Sequence, residues 1–272
     1  MQSMRAVRVF LAGLALVVVG ASNASAQVDL AVTGGLDVTN QYMFRGIRQN
    51  IGEVSIWPFI DLGIPAWSGD GGLKSVTINL GTWNAFHTEL ADSKWYESDL
   101  YATLGFGFSK AALSLNYTSY TSPADIFAHV KEFGVKLAFD DSAALGKGAL
   151  KPYVLVAFEL SDDGQADAGA AKGTYVELGV APGYAGSKAS IAFPIKIGLS
   201  ASDYYEFGTG SDSKFGYFSV AGIVTVPINA NWNVHGGVEV QTFGENVKAY
   251  NAFGDGDRNA AGIGSIGIGF SF

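Results

Sequence analysis

Few side chains in this chain have the types and spacing needed for enzymatic chemistry. The histidines are His87, His129 and His235, and cysteine is absent. A hydrolase would need a serine within hydrogen-bond reach of a histidine. The serines nearest to His87 or His129 in the expected layout are Ser93, Ser119 and Ser122. No motif surrounds them, and neither HExxH nor a phosphate-binding glycine loop is present. The sequence therefore predicts no enzyme, no metal and no cofactor.

Charged residues that alternate with apolar ones form a second group of candidates. In an extended chain alternate side chains point to opposite faces, so the charged residues of one run share a face. We predict that this face lines a pore. The pore-lining candidates are Arg45, Asp61, Glu97, Asp99, Glu132, Lys136, Lys151, Glu159, Glu177, Lys196 and Glu239. Acids outnumber bases among them, which predicts a weak preference for cations unless neighbouring acids and bases pair across strands.

Segments with a period of two must position these charges. They span residues 28–39, 54–64, 73–83, 97–108, 112–120, 129–140, 150–160, 174–183, 189–200, 215–226, 231–243 and 261–272. Twelve is an even number, as single-chain bacterial barrels require. The connections after odd-numbered strands are mostly long and polar, whereas the others are mostly short. The sequence therefore predicts an all-β fold, a transmembrane antiparallel up-and-down β-barrel of 12 strands.

Two prolines interrupt the predicted strands. Pro58 and Pro194 cannot donate to a ladder, and a closed barrel has no free edge for them. We predict a bulge or a bend at each.

The last segment, 261–272, has apolar residues on one face and ends on Phe272. An unpaired apolar final strand is an aggregation template, and closure of the barrel removes the exposed edge. The segment resembles the assembly signal of bacterial outer-membrane barrels. The resemblance implies outer-membrane lipids, lipopolysaccharide and the barrel assembly machinery as partners.

The N-terminus has the features of a secretory signal peptide. Arg5 and Arg8 precede an apolar run, and Ala24-Ser25-Ala26 forms a small-x-small cleavage site. We expect residues 1–26 to be cleaved and residues 27–272 to form a single barrel domain in the outer membrane. The chain carries 25 acidic against 17 basic residues, which argues against nucleic acid as a partner. Its tryptophans, with tyrosines such as Tyr42, Tyr96 and Tyr217, are expected to form interfacial girdles.

One loop carries the most specific motif. Asn40, Tyr42, Phe44, Arg45 and Gly46 resemble the N-terminal signature of the TorF-type porin family, also called the Gcw_chp family. The stretch Gly81-Thr82-Trp83-Asn84, with the acidic-aromatic run from Tyr96 to Tyr101, is similar to that family's second block. The resemblance implies an outer-membrane pore without naming a solute. For Arg45 we consider two roles: a lumen constriction, or an ion pair with Asp99 or Glu97 that holds the first loop.

These features favour a channel for passive diffusion of small hydrophilic solutes, selected by lumen width and lining charge. Two alternatives remain. One is a barrel hydrolase acting on lipid or lipopolysaccharide at the outer rim, and the other is a structural barrel that conducts nothing.

Overall fold

The computed structural model describes residues 30–50, 53–89, 94–162, 164–208, 211–252 and 258–272. The predicted signal peptide, residues 1–26, lies outside these ranges. The strands are β1 (Ala31–Thr39), β2 (Met43–Phe44), β3 (Ile47–Arg48), β4 (Ser55–Ser68), β5 (Leu73–His87), β6 (Trp95–Phe108), β7 (Ala111–Thr121), β8 (Val130–Phe139), β9 (Tyr153–Glu159), β10 (Thr174–Val180), β11 (Gly183–Ala185), β12 (Ser190–Ala192), β13 (Ile195–Ser202), β14 (Phe215–Pro227), β15 (Trp232–Phe243) and β16 (Ala260–Ser271). The helices are α1 (Ser142–Leu145), a 3-10 turn (Gly146–Gly148) and α2 (Glu245–Asn251).

The main sheet closes into an antiparallel barrel of 12 strands. β1 pairs with β4 on one side and with β16 on the other, so the first and last strands seal the wall. The pair β10 and β11 forms the eighth strand and the pair β12 and β13 forms the ninth, while β2 and β3 form a separate hairpin. The backbone of Phe272 exchanges two hydrogen bonds with Val32. The predicted strand count and the paired final strand are confirmed.

The prolines alter the wall less than predicted. At Pro194 the ninth strand is interrupted, but its register against β14 is the same before and after, from Ala192↔Ile223 to Ile195↔Val220. β4 continues through Pro58, opposite Leu36. Neither proline produces a bulge, but the strand is broken at Pro194, whereas a bend at either position stays a prediction. A proline lacks only the backbone N–H donor, and the Pro194 carbonyl still accepts a hydrogen bond from the Ala221 N–H at 2.8 Å.

The two ends of the barrel differ in their connections. We call the end with residues 40–50, 53–54, 88–89, 94, 122–129, 160–162, 164–173, 203–208, 211–214, 244–252 and 258–259 the loop end, and the opposite end the turn end. The turn end has short connections apart from residues 140–152, which contain α1. None of the helices in the described part of the chain is long and apolar enough to cross a membrane.

The wall is apolar outside and polar inside. Exposed outward side chains include Leu80, Leu100, Val238 and Ile266, at 46%, 49%, 68% and 61% exposure. The largest buried side chains lie inside the barrel near the loop end and include Tyr175, Tyr204, Tyr205 and Tyr217. The core therefore lies in the lumen, where side chains of the wall strands pack against those of the loops.

Candidate functional site

The first loop folds into the barrel and forms a plug, which we define as residues 40–50. Its hairpin, β2 and β3, turns at Arg45 and Gly46, with φ of 50° and 84°. A Cβ atom on Gly46 would stand 2.9 Å from Cβ of Tyr217, so the plug backbone touches the wall at β14. Ile47 is 1% exposed and belongs to the buried tyrosine cluster. A glycine with positive φ at this point lets the hairpin reach the far wall.

Arg45 fixes the tip of the plug. Its guanidinium donates to both carboxylate oxygens of Glu132 on β8, at 2.5 and 2.7 Å, and to the Tyr204 hydroxyl at 2.7 Å. The guanidinium carbon also lies 4.1 Å from the ring centroid of Tyr175. Burial alone lowers the pKa of Arg45, but the Glu132 carboxylate outweighs it and raises the pKa above its usual range. The predicted partners Glu97 and Asp99 are wrong, because the hairpin carries Arg45 past β6 to β8.

Further hydrogen bonds hold the rest of the plug. Asn251 of α2 accepts from the Arg48 N–H and donates to the Gly46 carbonyl, at 2.9 and 2.7 Å. The Tyr205 hydroxyl donates to the Arg45 carbonyl at 3.0 Å. Asn251 and Tyr205 come from the last and the fifth loops, so three loops are joined inside the lumen.

A tyrosine network lies on the wall beside the plug. Glu177 accepts from the hydroxyls of Tyr153, Tyr175 and Tyr217 at 2.7, 2.6 and 2.8 Å. Lys136 Nζ stands 4.2 Å from the ring centroid of Tyr153. The sequence candidates Glu177 and Lys136 therefore face the lumen. The three hydroxyl groups stabilise the Glu177 carboxylate through hydrogen bonds.

Two buried carboxylates shape the fourth and fifth loops. Glu159 accepts from the backbone N–H groups of Ala166 and Gly173, both at 2.6 Å. Asp167 accepts from the N–H groups of Glu206 and Phe207 at 2.8 and 2.9 Å. Burial raises the pKa of Asp167, while these N–H donors oppose the shift. Glu159 is thus a loop anchor as well as an inward-facing residue.

The remaining pore-lining candidates occupy four different settings. Glu97 and Asp99 are buried at 5% and 7% exposure near the loop end. Lys196 and Glu239 form an ion pair of 3.6 Å across the wall, and Asp61 faces Tyr101. Lys151 does not line the lumen. It lies in the turn-end connection with φ of 51°, and its N–H is bonded to Asp141, because the strand begins two residues later at Tyr153.

The predicted aromatic girdles are wrong for most of the tyrosines. Tyr117 and Tyr184 are exposed outside, at 41% and 60%, as a girdle requires. Residues Tyr42, Tyr96, Tyr204, Tyr205 and Tyr217 are instead buried. Trp57 and Trp83 pack against Tyr42 at 5.2 and 5.4 Å between ring centroids. Tyrosine suits the interior of the barrel because its ring fills space while its hydroxyl can donate a hydrogen bond to a carboxylate.

The histidines occupy three different settings. His87 is 2% exposed and stacks on Tyr96 at 4.3 Å. His235 pairs with Asp37 at 2.6 Å across Gly267, where any Cβ would collide with both side chains. His129 Nε2 is 2.7 Å from Ser119 Oγ on the outward side of the loop end. Of the predicted serines, Ser122 donates to the Tyr96 carbonyl, and Ser93 lies outside the described residues.

Two cavities meet the plug from opposite sides. The outer one has a volume of about 410 Å³ and includes Phe44 and Tyr120 in its lining. The inner one has about 310 Å³ and includes Arg45, Tyr120, Glu132 and Lys136. Phe44 and Arg45 are consecutive, and the Phe44 and Tyr120 rings touch at 5.6 Å between centroids. The tip of the plug therefore stands between the two spaces.

Some of these residues are not among the candidates that the sequence predicts. Tyr175 and Tyr217 share the parity of the inward face, so the alternation itself carried a signal for them. Tyr204, Tyr205 and Asn251 lie in loops, where no periodic pattern reports direction. Among the described residues no group of three or more possible metal ligands comes together.

Known proteins resemble this chain only distantly. No protein-family model and no curated protein matches the chain, so the TorF-type resemblance stays a prediction. An outer membrane channel from Pseudomonas putida is 10% identical, covers 92% of this chain and 99% of its own, and has a TM-score of 0.49. The NanC porin is 10% identical, with 89% and 98% covered and a TM-score of 0.46. The outer membrane phospholipase A of Escherichia coli is 12% identical, with 92% and 94% covered and a TM-score of 0.46. Similarities at this level carry no argument about function.

Proposed function

We propose that the protein is an outer-membrane channel for passive diffusion of small hydrophilic solutes. One observation carries this proposal: the closed barrel is apolar on its outward face and places charged, hydroxyl and amide side chains inside, around cavities of about 410 and 310 Å³. A soluble barrel would have the opposite polarity, whereas a membrane barrel needs this one. The signal peptide, insertion through the strand ending in Phe272, and contact with lipopolysaccharide belong to the same proposal.

Selection would come from the plug and from the charges around it. The plug narrows the lumen, so only small solutes pass beside its tip. Inward-facing acids outnumber bases, although Arg45 and Lys196 are each paired with one of them. The residual acidic excess supports a weak preference for cations.

Single-channel current across a planar bilayer with a tenfold KCl gradient tests the proposal. We expect a small steady conductance and a reversal potential of cation-selective sign. A variant with residues 41–50 replaced by a Gly-Ser linker of equal length should conduct several times more. If neither folded protein passes current, the channel is excluded and the structural barrel takes its place. An anion-selective sign would refute the charge preference alone.

A hydrolase is the second candidate, and the Ser119–His129 hydrogen bond is the observation that favours it. Within the described parts of the chain, no side chain is hydrogen-bonded to the other ring nitrogen of His129, so nothing fixes the imidazole as a general base. We therefore expect no ester hydrolysis by the folded protein in detergent. Activity that disappears in Ser119→Ala would establish the hydrolase.

A further inference from the structure

The outer cavity has the walls of a binding site. It is enclosed by the plug, the ends of β6 to β8, the third and fourth loops and α2. Its volume of about 410 Å³ lies within the range of small-molecule sites. Its aromatic lining residues are Phe44, Tyr96, Tyr120, Phe127 and Tyr250. Five aromatic side chains thus contribute to the lining of one small cavity.

The charge of the lining is one-sided. Glu97 is the acid in it, and no lysine, arginine or histidine is present among the described residues that line the cavity. Aromatic faces attract cations, and a carboxylate beside them adds to that attraction. An anionic solute would meet the same carboxylate without a compensating base.

Two polar side chains of the lining are engaged within the protein. The Tyr96 hydroxyl donates to Gln49 Oε1 at 2.7 Å, and Gln165 Nε2 donates to the Ser161 carbonyl at 2.9 Å. Recognition of a ligand would therefore rest on the aromatic rings and on Glu97.

The fourth loop is already fixed in place. Gln165 lies next to Ala166, whose N–H is bonded to Glu159. A Cβ on Gly164 would stand 2.7 Å from the carbonyl oxygens of Ala128 and His129, so the third and fourth loops are in close contact. A site whose walls are held by the protein loses little entropy when a ligand binds.

From these observations we propose that the outer cavity binds small organic ammonium compounds. The ammonium group would lie among the rings and near Glu97. This inference rests on the proposed channel, because it assigns the class of solute captured at its entrance.

Calorimetric titration of the refolded protein in detergent tests this assignment without measuring current. The probes are choline, its uncharged isostere 3,3-dimethylbutan-1-ol, and glucose. We expect choline to bind about threefold to tenfold more tightly than the isostere, because only the charge differs. Equal affinity for the isostere, preference for glucose, or no binding of any probe would each overturn the proposal.

Variants locate the site. Glu97→Gln should weaken choline binding at least about threefold and leave the isostere unchanged, since it removes the charge at nearly constant shape. Phe127→Ala, in a loop where folding is less at risk, should weaken choline as well. Asp70→Asn, which removes a carboxylate from an exposed turn at the opposite end, serves as the matched control and should bind normally. An equal loss in the control would also overturn the assignment.

Failure of this inference is distinguishable from failure of the channel. A protein that conducts but does not bind choline is a channel without this site. A protein that binds choline but passes no current keeps the site and loses the proposed function.

Discussion

Two ion pairs inside the same barrel are built differently. Arg45 and Glu132 join the plug to the wall, and their side chains are 11% and 5% exposed. Lys196 and Glu239 join two wall strands at 3.6 Å and are 27% and 22% exposed. The first pair is desolvated and shares its hydrogen bonds with Tyr204. The second remains near water, and main-chain ladders hold its strands whether or not it forms. The plug therefore depends on its side chains, whereas the wall does not.

The largest expected effect comes from breaking the buried pair. Arg45→Met leaves the Glu132 carboxylate buried without its partner and should cost about 3–5 kcal/mol in urea unfolding of the refolded protein. The double variant Arg45→Met with Glu132→Leu should recover much of this loss, because it removes both charges. Lys196→Met is the matched control and should cost less than about 1 kcal/mol. Equal losses of stability in Arg45→Met and Lys196→Met would show that the two ion pairs do not differ in this way.

The same contrast applies to glycines. Gly46→Ala places a Cβ 2.9 Å from Tyr217 at a φ of 84° and should destabilise the plug by about 1–3 kcal/mol. Gly71→Ala, in a turn-end connection with nothing within 4 Å, should change the unfolding free energy by less than about 0.5 kcal/mol. Single-channel recording should also show a larger or noisier current for the first variant alone. If Gly46→Ala changes neither the unfolding free energy nor the current, the hairpin has room to move.

The wall was predictable from the sequence because each strand reports its faces locally. Alternation along 97–108 placed Glu97 and Asp99 inside and Leu100 outside without any knowledge of the other strands. The plug was not predictable in the same way. Arg45 and Glu132 are 87 residues apart, and Arg45 and Tyr204 are 159 apart, so no local pattern records either contact. The motif around Arg45 marked the right loop, but its partner is fixed by how far the hairpin reaches across the lumen.

Lys151 shows the limit of the periodic argument even within the wall. Its place in the alternation of side chains matched that of the inward-facing residues, yet the strand begins only at Tyr153. A period of two gives direction inside a strand and gives none beyond its end. Tyrosine was misassigned for a related reason, since its composition fits both an interfacial girdle and a lumen filled with carboxylates.

A wall charge should affect conduction more than stability. Lys196→Ala removes a base from the lumen, so the reversal potential should move towards cation selectivity while the unfolding free energy changes by less than about 1 kcal/mol. Lys172→Ala is the control, because it removes an exposed loop lysine paired with Asp162. If both variants shift the potential equally, the effect comes from the total charge of the protein and not from the lumen.

The smallest expected effect concerns the loop that carries Tyr204 and Tyr205. Asp212 in this loop accepts from Ser200 Oγ, Lys214 Nζ and the Tyr205 N–H. Burial alone raises the pKa of Asp212, but these donors outweigh it and the pKa lies below its ordinary value. The bonds to Asp212 therefore contribute their full stabilisation above the unfolded pKa, near 4, and lose it as pH falls through the folded pKa. We expect amide exchange at Tyr205, corrected for intrinsic chemistry, to lose protection as pH falls below about 4.

Asp212→Asn should abolish that dependence, because it leaves no carboxyl to titrate at this position. At neutral pH the conductance of this variant should equal that of the unaltered protein, since the contacts of Arg45 with Glu132 and Tyr175 do not involve Asp212. A changed conductance in Asp212→Asn at neutral pH would show that the loop and the plug move together. The fifth loop would then belong, together with the plug, to the part of the molecule that side-chain contacts hold in place.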